Sequence, residues 1–338
     1  MAQPNSMFNE ESADVVFRSS DGVEFWLHKI ILSLASPVFK GMFSLPRDPD
    51  AGRETVEVTE VASTMEDLLR FCYPMRPPEL PQLDRLSDAL HAAMKYEMSF
   101  LVSQLKTRLR NFIESDAMRV YCIAYKYEDA ELAQSAAERL LQQPRLFDLL
   151  NPPPEFSQLP IIALAKLMAY RKQCAVAAAT VLMDDGWMMT GFRNHDGIRR
   201  SRKNNLVVGS ESWVWLQCES CSAGTVDYPF RFSPESSPHS VRPRRWWQAY
   251  RDAVVKELPR FLRPLPSVAS QDRLIQPAVG CAEKCELCGP QAAAELSEYA
   301  EGVGKRIEEV LAKVRVDFPF RSAGPVSEDH GDCDGPVG

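Results

Sequence analysis

Long hydrophobic runs are missing from this sequence. The most apolar stretch, AVAAATVLM at 175–183, follows Lys166, Arg171 and Lys172 and is far shorter than the roughly 20 residues that cross a bilayer. No membrane helix is expected. The opening MAQPNSMFNEES has neither a basic n-region nor an apolar h-region, so no secretory signal is expected either. Catalytic signatures are also lacking: there is no Gly-x-Ser-x-Gly elbow, P-loop, dinucleotide-binding glycine fingerprint or His-Glu-x-x-His pair. Of the five histidines, His91, His195, His239 and His330 have no partner at a meaningful spacing. Without an identifiable nucleophile, base or cofactor cradle, an enzyme is not expected. Excess positive charge is absent too. A formal net charge of -7 argues against phosphate neutralisation by the chain as a whole, and hence against non-specific nucleic-acid binding.

What is present is an ordinary globular composition, 45% hydrophobic and 25% charged, over 338 residues, enough for two or three domains. Nine cysteines in a chain without an export signal point to reduced thiols or metal ligands ahead of disulfides, and so to the cytosol or nucleus.

The N-terminal part is organised around LHKIILSLASPVFKGMF at 27–43. Ile30, Ile31, Leu34 and Ala35 recur at helical spacing, and Ser36-Pro37 starts a second helix, because proline at the first helical position gives up only an unpaired N–H. Val38, Phe39, Met42 and Phe43 supply that helix with an apolar face. Nearly all of the stretch is therefore expected to be covered. Ahead of it, DVVFR at 14–18 and VEFWL at 23–27 read as a β-hairpin through SSDG. After it come the strand TVEVT at 55–59 and helical faces carrying Met65, Leu68, Leu69 and Cys72, then Leu86, Ala89, Leu90, Ala93 and Met94, then Leu101, Leu105, Leu109 and Phe112.

The hairpin with Asp14 and Val15, HKIILSLASPVFKGMF, TVEVTE, LLRFCYP and AAMKYEM, in that order, resemble a BTB/POZ domain over 12–115, and particularly its fungal type. The resemblance implies an α+β fold, a small sheet flanked by helices, used for dimerisation and for binding a protein partner. It makes His28 a packed core histidine. It places partner binding at Met42, Phe43 and Leu45, and it raises the cullin ubiquitin-ligase adaptor as a role. Such adaptors often carry a hydrophobic-x-Glu motif after the Met-Phe; here Ser44-Leu45-Pro46-Arg47 puts arginine where the acid belongs. Domain-swapped dimerisation would also need a strand and a helix before Ser12, where there is little room for both.

Residues 116–185 read as a helical extension packed on the BTB unit, with Pro160–Met183 a single helix burying Ile161, Leu164, Ala165, Met168, Val176, Ala179 and Leu182. A polar, basic linker is expected at 186–211 and a disordered tail at 319–338. Between them, 212–318 reads as a small α/β cysteine-containing region. It contains a strand at SWVWL (212–216), another within 225–232, a helix with Trp246, Trp247, Tyr250, Val254 and Leu258, and a long helix over 290–314.

That region holds the one constellation with ligand spacing: Cys218-Glu219-Ser220-Cys221 and Cys285-Glu286-Leu287-Cys288. A pair of cysteines two residues apart lets two thiolates meet one ion from a tight turn, and a second pair completes a tetrahedral, structural zinc site. The plain alternative is two chance pairs, since their separation is long. Cys281 is a spare thiol or an alternative ligand to Cys285. Cys72, Cys122 and Cys174 fall on apolar helical faces, as buried small hydrophobes do; Cys333 lies in the tail. Arg199, Arg200, Arg202 and Lys203 fit a solvated linker better than a nucleic-acid patch. The leading expectation is a non-enzymatic interaction protein, a scaffold or adaptor able to self-associate. The alternative from another class is a zinc-containing transcriptional regulator.

Overall fold

The Asp21-Gly22 turn forms as expected, with Gly22 at φ +86°, where only glycine is unstrained, and with Ser19 bridging the strand ends. It joins β2 (Val15–Arg18) to β3 (Val23–Leu27) in antiparallel register. The computed structural model describes residues 3–45, 53–143, 151–183, 199–200, 206–207, 213–230, 239–258 and 271–320. The chain divides into two compact units, residues 1–123 and 124–338. Among the described residues no helix is long and apolar enough to cross a membrane.

Unit 1 carries a four-stranded sheet in the order β1-β3-β2-β4. Its first strand, β1 (Gln3–Asn9), lies ahead of the expected start at residue 12 and pairs in parallel with β3. The polar sequence of this segment has little strand propensity of its own; pairing and the burial of Phe8 against Phe25 and Tyr73 hold it. Room for a preceding strand therefore exists. β4 (Glu54–Glu57) runs parallel to β2, an arrangement that needs a crossover. The helical pair supplies it as α1 (Lys29–Ala35) and α2 (Pro37–Phe43).

Helices of seven residues do not stand alone, and polar contacts fix both of these. Asp14 Oδ1 accepts the Lys29 N–H at 2.8 Å, and the Tyr73 hydroxyl accepts that of His28 at 2.9 Å. The His28 ring lies between Ser12 Oγ at 3.0 Å and Tyr73 Oη at 3.3 Å, a packed structural histidine. Ser36, fully buried, ends α1 and caps α2: its Oγ accepts from the Phe39 N–H at 3.1 Å and donates to the Tyr96 carbonyl at 2.6 Å. Phe39 then packs on Phe17 and Tyr96 at the centre of the unit. The expectation that the whole stretch is covered fails on one face of α1, where Ile30 is 67% and Leu34 83% exposed. Behind the pair come α3 (Ala62–Cys72), α4 (Leu83–Lys95) and α5 (Ser99–Leu109). Arg85 of α4 grips the buried Asp67 of α3 with two-pronged hydrogen bonds at 2.7–3.1 Å. α6 (Ile113–Lys126) follows, kinked at Asp116.

Unit 2 contains α7 (Ala130–Leu141) and α8 (Ile161–Met183). α8 buries Ala163, Leu167, Tyr170, Cys174, Ala178, Val181 and Leu182, so of the expected row only Leu182 is fully buried, while Ile161, Met168 and Val176 lie open. The cause is a helix that is apolar nearly all round: periodicity then selects no unique inner face, and packing does. Two short ribbons follow, β5 (Arg199–Arg200) with β6 (Leu206–Val207), and β7 (Tyr228–Phe230) with β8 (His239–Val241). The expected strand at 212–216 is instead one helical turn, α9 (Val214–Gln217). Tertiary packing overrides the strand propensity of its tryptophans: Glu295 accepts the Val214 N–H at 2.7 Å, and Trp215 is wholly buried, stacked between Trp213 and Trp247. α10 (Arg245–Glu257), α11 (Asp272–Ala282) and α12 (Gly289–Leu311) complete the unit, with α12 packed on α8 and α11.

Candidate functional site

Each cysteine pair sits where a helix ends or begins. Cys218 closes α9, its N–H donating to the Val214 carbonyl at 3.0 Å, and the chain then folds back so that the Cys221 N–H donates to Cys218 Sγ at 3.4 Å. Cys285 leaves α11 and Cys288 opens α12, whose Ala292 N–H donates to the Cys288 carbonyl. Gly289 lets the two helices meet: a Cβ there would lie 3.2 Å from Glu283 Cα. The two pairs, 67 residues apart in sequence, come face to face.

Cys218 Sγ lies 3.6 Å from Cys285 Sγ, and Cys221 Sγ lies 3.6 Å from Cys288 Sγ; all four sulfurs lie within 4.8 Å of one another. Disulfide sulfurs sit at about 2.05 Å, so these are thiols in contact. A metal with about 2.3 Å bonds to four sulfurs in a tetrahedron sets them about 3.8 Å apart, close to the spacing found. These four cysteines therefore lie close enough to bind a metal ion. Cys218 and Cys288 are buried, Cys221 and Cys285 partly exposed.

The electrostatics are uneven. Hydrogen bonding from the Cys288 N–H first, then the Cys221 thiol and the Leu287 N–H, pulls the Cys285 thiol down to about 6. Burial pushes Cys221 up to about 11 and Cys288 higher still. A divalent cation is what would let such crowded sulfurs ionise together. With four sulfurs as ligands no position is left for water, and such a centre holds structure without doing hydrolytic chemistry.

Cys281 is exposed and is not a member of this group. Cys122 and Cys174 are buried and Cys72 is half-buried; burial pushes Cys72 up to about 12 and Cys174 to about 11, as for inert thiols. Cys333 lies outside the described residues, as do Arg47, Arg202 and Lys203.

In unit 1, Met42 and Phe43 are half-buried at the end of α2. The Phe43 ring packs on Phe17 and Phe39, with the Lys29 ammonium 5.6 Å above it. Leu45 is 64% exposed. The most open apolar side chains of the helical pair are Ile30 and Leu34, which the sequence reading treats as covered. Their four-residue spacing puts them on one stripe of a helix whose other stripe buries Leu32, and a second apolar stripe on so short a helix is the signal that separates them.

Residues 5–113 match the family model of the BTB/POZ domain. Among solved structures, the BTB domain of zebrafish PATZ1 is similar at 22% identity and a TM-score of 0.25, over 29% of this chain and 76% of that one. No curated protein matches the chain.

Proposed function

We propose, from the premise that residues 5–113 are a BTB/POZ domain, that this chain is a non-enzymatic adaptor. Unit 1 docks a protein and a second copy of itself, and unit 2 is held together by zinc on Cys218, Cys221, Cys285 and Cys288. The set of N-terminal motifs followed by a helical segment supports a place among fungal BTB proteins. The observation that carries the docking role is the outward stripe of α1: Ile30 and Leu34 stand in water on a helix whose other face buries Leu32, in the same helical pair that ends in Met42 and Phe43. Fully burying an aliphatic side chain of this size contributes about 1.5–3 kcal/mol. Zinc fits a closed all-thiolate set better than harder ions such as magnesium or calcium, which take oxygen ligands. When bound it supplies cross-linking charge and no reaction. A cullin-directed role has less support, because the acidic residue of the expected motif is missing at Arg47.

Light scattering on the full chain tests the docking role. The wild type is expected above the monomer mass at micromolar concentration, and the pair Ile30→Asp and Leu34→Asp at the monomer mass with unchanged helicity, since both positions are exposed. A monomeric wild type whose affinity-purified partners are the same as those of the double variant sinks the proposal.

A further inference from the structure

α12 ends at Leu311, and residues 314–320 beyond it belong to no helix or strand, yet they have the pattern of a strand. Val314, Val316, Phe318 and Phe320 alternate with Arg315, Asp317 and Pro319; the first set is buried or half-buried and the second exposed. A period of two is that of an extended chain laying every second side chain on a surface. The segment pairs with no strand among the described residues. The surface beneath it is helical, made by Tyr125, α7 and α8.

Its contacts fall in a fixed order. Gln134 of α7 donates from Nε2 to Glu138 at 2.8 Å, leaving its Oε1 to accept the Val316 N–H at 2.8 Å. Val316 itself is 6% exposed. On one side of it Arg315 Nη1 reaches Glu138 at 3.0 Å, and on the other Asp317 pairs with Lys166 of α8. The Phe318 and Phe320 rings stack at 5.1 Å, and both lie against the buried Tyr125, at 6.3 and 5.2 Å. A main-chain group held by a side chain, with flanking side chains sorted by charge and shape, is how peptide-binding surfaces divide affinity from specificity.

The segment does not fill its bed. Beside it a cleft of about 650 Å³ stays open, lined on the α7 side by Glu131, Gln134 and Ser135. The Arg315 and Asp317 side chains are 63% and 80% exposed, so their ion pairs add little to holding it. Segments with few buried contacts open at the low end of a protein's stability range, where a competitor can take their place.

We infer that this surface is a docking groove for an extended peptide of a partner protein, and that residues 314–320 occupy it as a competitor within the chain. The peptide it fits has apolar residues at every second position, the last two aromatic, with a basic residue before the buried aliphatic one and an acidic residue after it. The groove shares no residue with the α1 stripe or the cysteine cluster, and stands or falls without them.

A labelled synthetic peptide with the sequence of residues 312–320 is titrated with the full chain and read by fluorescence anisotropy. In the wild type the tethered segment competes at an effective concentration on the order of millimolar. Val316→Asp, which evicts it, is therefore expected to bind the peptide at least about tenfold more tightly than the wild type. Adding Glu138→Arg to that variant weakens binding about 5–10-fold, and Arg315→Glu in the peptide recovers it. Equal binding by wild type and Val316→Asp, no binding by Val316→Asp with helicity retained, or binding indifferent to Glu138→Arg overturns the inference. Should Val316→Asp not fold, Arg315→Glu in the chain loosens the segment from its exposed rim instead: a gain of about 5-fold in peptide affinity supports the groove, and unchanged affinity overturns it.

Discussion

Stripping the proposed zinc with a chelator, or replacing Cys218 and Cys288 together by serine, is expected to unfold the cysteine-bearing part of unit 2. Those two sulfurs are buried, and the turn after Cys218 has little regular structure to hold it once the four ligands part. Structural zinc contributes about 10–16 kcal/mol in small zinc peptides. Half of the lower figure coupled to folding here, on the order of 5 kcal/mol, equals the whole stability of a marginal domain. The readouts are a stoichiometry near one zinc per chain before treatment, and loss of the blue-shifted emission of Trp215, Trp246 and Trp247, all buried in one aromatic cluster. Acid acts in the same direction, because protons compete with the metal for sulfur and the stabilisation is lost as pH falls. An unchanged melting curve and no bound metal contradict the expectation.

The second large effect belongs to unit 1. Asp67 is 1% exposed, and its carboxylate is held by both prongs of Arg85, whose own side chain is 45% exposed. Burial pushes the Asp67 carboxyl above its ordinary value, and the hydrogen bonds and charge of Arg85 only partly offset this. Arg85→Met is therefore expected to cost about 3 kcal/mol at neutral pH in urea denaturation, toward the low end for a broken buried pair, because Arg70 still attracts the carboxylate. The pH dependence has a definite sign. A carboxyl whose folded value is raised destabilises the native state above that value, and the penalty fades as pH falls, vanishing below the ordinary aspartate value of about 3.9. The gap between variant and wild type should close in acid. Adding Asp67→Leu should restore most of the loss, since an apolar pair can fill the place of a buried ion pair. A gap that does not vary with pH assigns the loss to the Arg85 stem instead.

Local chemistry in this chain is readable from sequence. The Asp21-Gly22 turn, the Ser36-Pro37 joint and both cysteine pairs each announce themselves within a few residues, and the ordered motifs indicate a BTB/POZ domain over 12–115, where the family model matches 5–113. Features decided by distant partners are not readable in the same way. β1 has a polar sequence and exists because β3 offers it an edge. α9 is rich in strand-forming residues and is helical because Trp215 has to reach Trp247 and Tyr299. The inner face of α8 is ambiguous in a helix with so little polar contrast, and packing decides it.

The edge position of β1 bears on how the N-terminal unit can be handled. A fragment begun at residue 12, where the recognisable motifs start, would lack the strand that covers β3 and would remove Phe8 from its place against Phe25 and Tyr73. It would bare unpaired backbone beside newly wetted aromatic surface, a combination that favours strand-to-strand aggregation. A bulky fusion joined directly to Gln3 would crowd the same border.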